Sequence, residues 1–418
     1  MELKKQLRQY AERAQAASRV LAELPSGKKQ KILNEIALRL KKSSRQIQRA
    51  NQKDIRAAKK TKLADAMIDR LMLDSKRIGQ MATAVFDVAK LEDPIGKVIK
   101  CWRRPNGLRI SKVSVPLGVI LIIYESRPNV TSECASLCLK SGNAVLLRGG
   151  REAIHSNRAI VEVYRQVLRR HGIPQDSVSL VPVLDRRAID ELLKLEDLIN
   201  LAIPRGGEAL IRRVARHARM PVIKHYKGIC HVYVDRDADL KIALKIAFNA
   251  KCQRTGVCNA METLLVHQTV ARKFLPPYGA MLREADCEIR GDRMTRKILP
   301  GIKPATEQDW RTEYLDKILS IRVVRDIDEA IRHIQTYGSA HTDSIVTRNS
   351  NAARKFVSKV DSSSVMVNVS TRFSDGNEYG FGAEIGISTD KVHARGPMGL
   401  EGLISYKYVV HGTGQIRT

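Results

Sequence analysis

The chain has 418 residues, 43% of them hydrophobic, which is enough for two domains with substantial apolar cores. Lys and Arg outnumber Asp and Glu by 73 to 44, giving a formal net charge of +29 at pH 7. No run of about 18 apolar residues is present, which excludes a transmembrane helix, and the charged first residues are not those of a signal peptide. The seven scattered cysteines are typical of reduced thiols in a cytoplasmic protein.

The basic charge leaves two classes of partner open, small anions and nucleic acids. It would attract acidic small molecules and phosphates as well as nucleic acids. Only 5% of the residues are aromatic, and they are not interleaved with basic residues as in RNA-binding proteins. This pattern favours a solvated basic surface. Cys134 and Cys138 are four residues apart, but no His or second cysteine pair accompanies them, so we expect core packing and no metal site.

Residues 1–90 are predicted to be helical. Apolar residues there recur with helical spacing, as at Ile32, Leu33, Ile36 and Leu40. The helical spacing of apolar residues ends by Arg103. Residues 104–107 have the composition of a turn, and apolar and polar residues partly alternate in the segment that follows. The sequence therefore predicts a hairpin at this point.

The middle of the chain alternates between apolar strands and helices. Before residue 210, strands are predicted at 118–123, 144–147 and 198–203. Helices are predicted at 131–140 and in a segment that ends at 168. Uninterrupted apolar strands separated by helices indicate a parallel sheet covered on both faces. Beyond Asp235 the pattern restarts with a helix at 240–250 and further alternation from 321 to 364, which predicts a second α/β domain.

Two strand ends carry the same short motif just before a helix. Arg148-Gly149-Gly150 follows one strand, and Pro204-Arg205-Gly206-Gly207 closes another. Glycine allows a close approach of ligand to backbone, and the helix N-terminus offers free N–H groups to a phosphate. Either motif alone would more often be a plain β–α connection, but two of the same form favour phosphate binding. The G-x-G-x-x-G fingerprint is absent, so an ordinary Rossmann phosphate loop is not supported.

Spacing alone does not distinguish Cys258 from Cys252 as a nucleophile, but longer runs do carry a resemblance. They follow one another along nearly the whole chain, at residues 124–131, 137–145, 147–150, 203–207, 228–235, 249–251, 312–316, 368–373 and 393–400. With these runs the chain resembles the γ-glutamyl phosphate reductase family of the aldehyde dehydrogenase superfamily.

The resemblance implies an α/β fold of the aldehyde-dehydrogenase type, with two doubly wound α/β domains and a small oligomerisation hairpin. The cofactor-binding domain is expected at 1–103 and 119–235, and the catalytic domain at 236–395. Residues 104–118 are expected to pair with the C-terminal strand region at 400–418 and to mediate oligomerisation.

The activity implied is NADPH-dependent reduction of L-glutamyl 5-phosphate to L-glutamate 5-semialdehyde and phosphate. It would pass through a cysteine thioester and form the second step of proline biosynthesis. The expected partners are the small-molecule substrate, further copies of the chain and glutamate 5-kinase, with no membrane. A nucleic-acid-binding protein on a dehydrogenase scaffold is the competing hypothesis, and charge alone supports it.

The same resemblance implies the catalytic and substrate residues. Cys258 occupies the nucleophile position, and Asn129 is the candidate side chain that would stabilise the oxyanion with the Cys258 N–H. Arg127 and Arg372 are candidates for the substrate α-carboxylate, since a guanidinium can bind a carboxylate through two hydrogen bonds.

The cofactor residues follow in the same way. Glu313 matches the residue that binds the nicotinamide ribose. Arg148 lies where the superfamily has a basic residue near the adenosine ribose, and a cation at this strand end favours NADPH over NADH. The remaining cofactor-binding candidates are the motif residues Gly149, Gly150, Pro204, Arg205, Gly206 and Gly207.

Overall fold

The computed structural model describes residues 2–417, so Met1 and Thr418, at the ends of two predicted ranges, lie outside the described residues. The chain forms two units. The first contains the residues up to Lys224, together with Phe381–Gly386 and the residues from Met398 onward. The second contains His225–Gly380 and Ile387–Pro397.

Helices alternate with strands along most of the chain. The α-helices are α1 (Glu2–Ala22), α2 (Ser26–Lys42), α3 (Ser44–Lys60), α4 (Asp65–Leu71), α5 (Ser75–Lys90), α6 (Pro128–Lys140), α7 (Ile154–Arg170), α8 (Arg187–Leu192), α9 (Glu208–His217), α10 (Leu240–Cys252), α11 (Gln268–Glu284), α12 (Arg293–Ile298), α13 (Ile327–Tyr337) and α14 (Ser350–Lys359). The strands are β1 (Val98–Arg103), β2 (Arg109–Pro116), β3 (Val119–Tyr124), β4 (Ala144–Arg148), β5 (Val178–Leu180), β6 (Leu201–Arg205), β7 (Cys230–Val234), β8 (Met261–His267), β9 (Glu288–Gly291), β10 (Lys303–Pro304), β11 (Ile318–Val324), β12 (Thr342–Val346), β13 (Ser364–Val367), β14 (Gly386–Ser388), β15 (Gly396–Met398) and β16 (Ile404–His411).

The first unit is built on a parallel sheet with the strand order β5-β4-β3-β6. Every residue of β3 and β4 is buried, which explains why both strands are uninterrupted apolar runs. The chain extends the sheet from β3 to one side through β4 and β5, and β6 then pairs on the other side of β3. A change of direction of this kind opens a crevice at the carboxyl ends of the strands.

The helices of this unit include α6, which carries the two closely spaced cysteines. Cys134 and Cys138 both lie in the core, where burial raises the pKa of each thiol. Among the described residues no helix is both long enough and apolar enough to cross a membrane. No group of three or more His, Cys, Asp or Glu side chains suited to a metal ion occurs within residues 2–417.

A separate antiparallel sheet joins β1, β2 and β16. The turn lies where the sequence predicts it, with Gly107 at φ +89° and the Arg104 N–H bonded to the Leu108 carbonyl at 2.8 Å. The C-terminal strand β16 pairs with β2, from Ile404 opposite Pro116 to His411 opposite Arg109. The hairpin itself begins earlier than expected, at β1 inside the range 1–103. This strand is mostly exposed, so it has no apolar pattern to reveal it.

The second unit contains a seven-stranded parallel sheet with the order β10-β9-β11-β8-β7-β12-β13. Its direction changes between β7 and β12, so it is also doubly wound. The expected boundary at residue 235 differs from the structure, because β7 belongs to this second sheet. Likewise Phe381–Gly386 belongs to the first unit and not to the range 236–395. A five-residue, fully buried strand such as β7 has the same apolar pattern in either sheet.

Buried polar side chains fix the start of α7, directly after the turn that follows β4. Asp54 of α3 accepts hydrogen bonds from the main-chain N–H of Ser156 at 2.7 Å and of His155 at 3.2 Å. It also accepts the Ser156 hydroxyl at 2.6 Å. Asn51 donates to the Ser156 hydroxyl oxygen at 3.0 Å and accepts the Leu73 N–H at 2.8 Å. Residues of α3 thus satisfy N–H groups that a helix start leaves unpaired.

We expect Asp54→Ala to lower the free energy of unfolding by about 2–3 kcal/mol, since it leaves the buried N–H and hydroxyl of Ser156 and the part-buried N–H of His155 without an acceptor. Urea unfolding followed by circular dichroism measures the loss. Glu92→Ala is the matched control, because the Glu92 side chain is 82% exposed and only pairs with Lys97, so its cost should stay within about 0.5 kcal/mol. Equal losses in the two variants would contradict the proposed anchoring.

Candidate functional site

A pocket of about 410 Å³ opens in the first unit at the carboxyl ends of its parallel strands. Its walls come from the end of β3, the turn after β4, the loop before α8, and α9. The charged residues that line it are Glu125, Arg148, Arg151, Glu152, Arg186 and Arg213. Four guanidinium groups against two carboxylates give the pocket an excess of positive charge, which suits an anionic ligand.

Arg148, predicted to bind the cofactor, lines this pocket but is itself engaged with the main chain. Its guanidinium donates to the carbonyl oxygens of Gly149 at 2.8 Å and of Leu184 at 3.0 Å. The side chain is buried, and burial lowers its pKa. Its Nε has no partner among the described atoms. Arg148 therefore ties the end of β4 to the loop that precedes α8.

The other three arginines of the pocket differ in how far their charge is neutralised. Arg213 forms an ion pair with Asp190 at 2.7 Å. Arg151 and Arg186 are exposed and have no ion-pair partner among residues 2–417. These two side chains are available to an anion in a way that Arg148 and Arg213 are not.

The glycine motifs hold the turns rather than opening the pocket. A Cβ atom on Gly149 would lie 2.3 Å from Asn157 Nδ2, and one on Gly206 would lie 2.5 Å from Glu125 Oε2. Gly150 lines the pocket, and a Cβ atom on it would lie 2.0 Å from Glu152 Oε1. A larger residue at these positions would force the neighbouring side chains to move.

The second motif has two further features. The Gly207 N–H donates to Glu125 Oε2 at 3.0 Å, and a Cβ on Gly207 would meet open space. Pro204 is buried in β6, and the Arg205 guanidinium lies against Gly386 within the same unit. These residues shape the turn between β6 and α9.

Arg127 and Asn129 lie at the start of α6, directly after β3. Arg127 is the residue that precedes the helix, with Pro128 in the first turn, and both Arg127 and Asn129 are exposed. Proline at this position suits a helix start because it has no N–H to leave unpaired. The sequence places both polar side chains on the same turn.

Cys258 lies in the second unit, just before β8 and at the amino edge of the parallel sheet. Its side chain is half-buried. The main chain of Gly228 packs so closely that a Cβ there would lie 1.9 Å from the Cys258 carbonyl oxygen. The Cys230 thiol donates to the same oxygen at 3.2 Å. The approach to β7 thus forms one wall beside Cys258.

Asn259 and Arg372 form a second wall. The Asn259 side chain donates to the Ser374 carbonyl oxygen at 2.9 Å and accepts a hydrogen bond from the Arg372 guanidinium. Arg372 Nε also donates to Gln253 at 2.8 Å. Because both of these acceptors are neutral amides, neither of them neutralises the charge of Arg372.

The electrostatics of Arg372 link it to the nucleophile position. Its pKa is lowered by burial and next by Arg254, whereas Asp375 and, after it, Cys258 and Cys230 act in the opposite direction.

Glu313 lies in the loop before β11 and reaches the same wall. Its carboxylate accepts the N–H of Gly228 at 2.9 Å. The second unit therefore brings three predicted residues, Cys258, Glu313 and Arg372, to one locality, through Gly228 on one side and Asn259 on the other.

Sequence reasoning missed a buried ion pair beside this locality. Lys251 and Glu262 are 2.6 Å apart and both side chains are 0% exposed. Burial raises the pKa of Glu262 to about 7, although Lys251 and the Leu315 N–H oppose the shift. A signal was present for Glu262 alone, since it is the one carboxylate in the fully buried strand β8, whereas α10 carries two further lysines besides Lys251. Gly228 and Cys230 carried no such signal outside the resemblance.

We expect Gly228→Ala to disturb the Cys258 loop, because no side chain can fit against that carbonyl oxygen. Gly256→Ala is the control, since a Cβ there would have its nearest neighbour, the Leu315 carbonyl oxygen, at an ordinary 3.9 Å. The rate of Cys258 alkylation by iodoacetamide, read by mass spectrometry, should change by about tenfold or more in Gly228→Ala only, with a lower melting temperature. Unchanged alkylation and stability in Gly228→Ala would refute the close contact.

The comparisons with known proteins agree on one family. Residues 2–297 match the model of the aldehyde dehydrogenase family. A γ-glutamyl phosphate reductase of Nautilia profundicola is 53% identical over 98% of this chain and 100% of its own length. One from Geobacter metallireducens is 51% identical over 100% of both chains. The crystal structure of γ-glutamyl phosphate reductase from Thermotoga maritima has a TM-score of 0.97 at 47% identity, covering 99% of this chain and 100% of that one.

These similarities confirm the predicted α/β fold of the aldehyde-dehydrogenase type and give no support to the nucleic-acid-binding hypothesis. They extend over the full chain, so they include both units. The chain belongs to the aldehyde dehydrogenase family and, within it, to the γ-glutamyl phosphate reductases.

Proposed function

We propose that this enzyme reduces L-glutamyl 5-phosphate to L-glutamate 5-semialdehyde and phosphate with NADPH, as the second step of proline biosynthesis. The proposal rests above all on the 53% identity to a γ-glutamyl phosphate reductase over 98% of the chain. It is supported by the half-buried Cys258, flanked by Arg372 and Glu313 in the second unit.

Cys258 carries the covalent chemistry in this proposal. Its thiolate attacks the acyl carbon, a C–S bond forms, the bond from that carbon to the phosphate oxygen breaks, and phosphate leaves. A thioester remains electrophilic, which a carboxylate is not. When bound, the reduced nicotinamide supplies a hydride to that carbonyl carbon. The C–S bond then breaks, and the thiolate of Cys258 returns as the aldehyde departs.

The developing oxyanion needs hydrogen-bond donors. The N–H of Cys258 and the side chain of Asn129 are proposed for this role. Asn259, which follows Cys258 in the chain, is a poor candidate because its Nδ2 and Oδ1 are already bonded to Ser374 and Arg372. Its function is to hold Arg372 beside Cys258.

The pocket of the first unit suits the adenosine part of a phosphorylated dinucleotide. Arg148 and Gly150 line it, as the cofactor assignment requires, and the other motif residues shape the turns around it. We assign the 2′-phosphate to Arg151 and Arg186, whose charges have no carboxylate partner among the described residues. Arg148 would instead support the ribose side from its fixed position on the main chain.

The substrate α-carboxylate is assigned to Arg372 or Arg127. Arg372 is favoured by its position beside Cys258 and by a charge held between neutral amides. Arg127 is exposed at the start of α6, where the helix N-terminus also favours an anion.

We also propose a cytoplasmic homo-oligomer that forms through the β1-β2-β16 sheet. Both outer strands of this sheet, β1 and β16, have an unpaired edge in the described chain, and edges of this kind invite pairing with another copy. Exposed apolar and aromatic side chains on them support the assignment, namely Val98, Ile99, Tyr406, Tyr408 and Val410. A contact with glutamate 5-kinase, which would supply the reactive acyl phosphate, stays a prediction.

Cys258→Ala should abolish turnover in the oxidative direction, measured as NADPH formation from glutamate semialdehyde, phosphate and NADP⁺. We expect a loss of at least about a thousandfold, because no other nucleophile takes part in the proposed chemistry. Cys252→Ala is the control, since this half-buried thiol lies six positions earlier and has no assigned role. Activity that survives in Cys258→Ala would move the nucleophile elsewhere.

For the cofactor, we expect Arg151→Ala and Arg186→Ala each to reduce the NADPH/NADH ratio of kcat/KM by about ten- to a hundredfold, the worth of a charge-assisted contact. Arg148→Ala should lower kcat/KM for both cofactors and leave the ratio unchanged, because its guanidinium serves the main chain.

Arg187→Ala serves as the control for the cofactor variants. Arg187 is adjacent to Arg186 in sequence, but its side chain is 81% exposed and paired with Asp185 at 2.6 Å. Its substitution should leave the ratio within about twofold. A ratio that falls only in Arg148→Ala would return the 2′-phosphate to Arg148 and refute the assignment made here.

A further inference from the structure

Lys251 and Glu262 form a fully buried ion pair that the proposed chemistry does not use. The ammonium and carboxylate are 2.6 Å apart, and both side chains are 0% exposed. Removing two charges from water commonly costs as much as their attraction returns, so a buried pair is a poor source of stability. A buried pair near Cys258 therefore calls for a role other than stability.

The carboxylate of Glu262 uses its second oxygen to hold a loop. Oε1 accepts the N–H of Leu315 at 3.2 Å, while Oε2 accepts the Lys251 ammonium. Leu315 has φ +54°, in the left-handed region that a leucine rarely adopts. Such a conformation persists only where neighbours enforce it. Glu262 is one such neighbour.

Tyr314 holds the same loop from another side. Its hydroxyl donates to Asp309 at 2.8 Å and lies 2.8 Å from the Ser320 hydroxyl oxygen. The Lys251 ammonium lies 5.8 Å from the centre of the Tyr314 ring, so one cation contacts both the carboxylate and the aromatic face. Lys251 and Glu262 therefore hold residues 314 and 315 in place through these contacts.

These contacts at Leu315 affect Glu313, which lies two residues earlier in the chain. Its carboxylate accepts the Gly228 N–H at 2.9 Å, and Gly228 packs directly on the main chain of Cys258. A turn at Leu315 that relaxed to an ordinary conformation would redirect the chain beside Glu313. A continuous set of contacts thus runs from the buried pair through Leu315 and Glu313 to the wall beside Cys258.

We propose that Glu262, with its charge balanced by Lys251, positions Glu313 through its hydrogen bond to the Leu315 N–H, and through Glu313 sets the affinity for the nicotinamide cofactor without taking part in acylation of Cys258. Neither residue touches substrate or cofactor in this scheme. Both are positioning residues. The inference rests on the proposed function, in which Glu313 binds the nicotinamide ribose.

The test uses two charge-free double variants of the full chain. Lys251→Met with Glu262→Leu removes both the ion pair and the acceptor for the Leu315 N–H. Lys251→Met with Glu262→Gln removes the ion pair but keeps a carbonyl oxygen as the acceptor. Since neither leaves a lone buried charge, both should fold, which circular dichroism and the melting temperature verify. Glu313→Ala is the reference for complete loss of the contact.

The first readout needs no cofactor. Hydrogen exchange by mass spectrometry reports protection of the Gly228 amide, which the Glu313 carboxylate accepts. We expect faster exchange in the Leu double variant and in Glu313→Ala, and parental exchange in the Gln double variant. The second readout is NADPH affinity by fluorescence titration. The Kd should rise about tenfold in the Leu double variant, and combining it with Glu313→Ala should add nothing further.

Three outcomes overturn the inference, and a fourth bears on the proposed function. Parental Gly228 exchange and parental Kd in the Leu double variant overturn the inference, as does a loss that simply adds to that of Glu313→Ala. Slower iodoacetamide alkylation of Cys258 in the Leu double variant, with unchanged Kd, would place the effect on the nucleophile and overturn it too. If the parent enzyme itself fails to bind NADPH, the proposed function fails, while the Gly228 exchange still reports whether the pair holds Glu313.

Discussion

The main-chain contact between Gly228 and Cys258 is the constraint on which the second unit depends. It leaves no room for a side chain at residue 228, and it places the approach to β7 against the loop that carries the nucleophile. The Gly228 N–H is then free of any strand partner and turns to Glu313. One steric requirement therefore brings together a strand, the cysteine loop and a carboxylate that is 85 residues distant in sequence.

Charge in this unit is arranged so that each group has one defined task. Arg372 is held by Gln253 and Asn259, whose neutral oxygens orient it without cancelling its charge. Lys251 and Glu262 form a buried ion pair, and the second carboxylate oxygen of Glu262 holds the N–H of Leu315.

In the first unit, too, the basic residues have different roles. Arg148 belongs to the Arg-Gly-Gly motif, yet its guanidinium donates its hydrogen bonds to the carbonyl oxygens of Gly149 and Leu184. Arg151 and Arg186 come from different loops and line the same pocket with uncompensated charge. Anchoring of α7 by Asp54 and Asn51 from α3 gives the turn between β4 and α7 a fixed geometry, which a pocket built on that turn requires.

The sequence by itself determined the parallel α/β fold, since fully buried strands such as β3 and β4 must be apolar throughout. It also determined the turn at Gly107 and, through resemblance, the candidates Cys258, Glu313 and Arg372. Only the tertiary structure decided that β7 joins the second sheet, because the sequence of a short buried strand does not indicate which strands it pairs with. Likewise, only the fold revealed which arginine is occupied and which is available. Hydrogen bonds such as those of Arg148 to Leu184, or of Glu262 to Leu315, join residues 36 and 53 positions apart, and no local pattern encodes contacts at that distance.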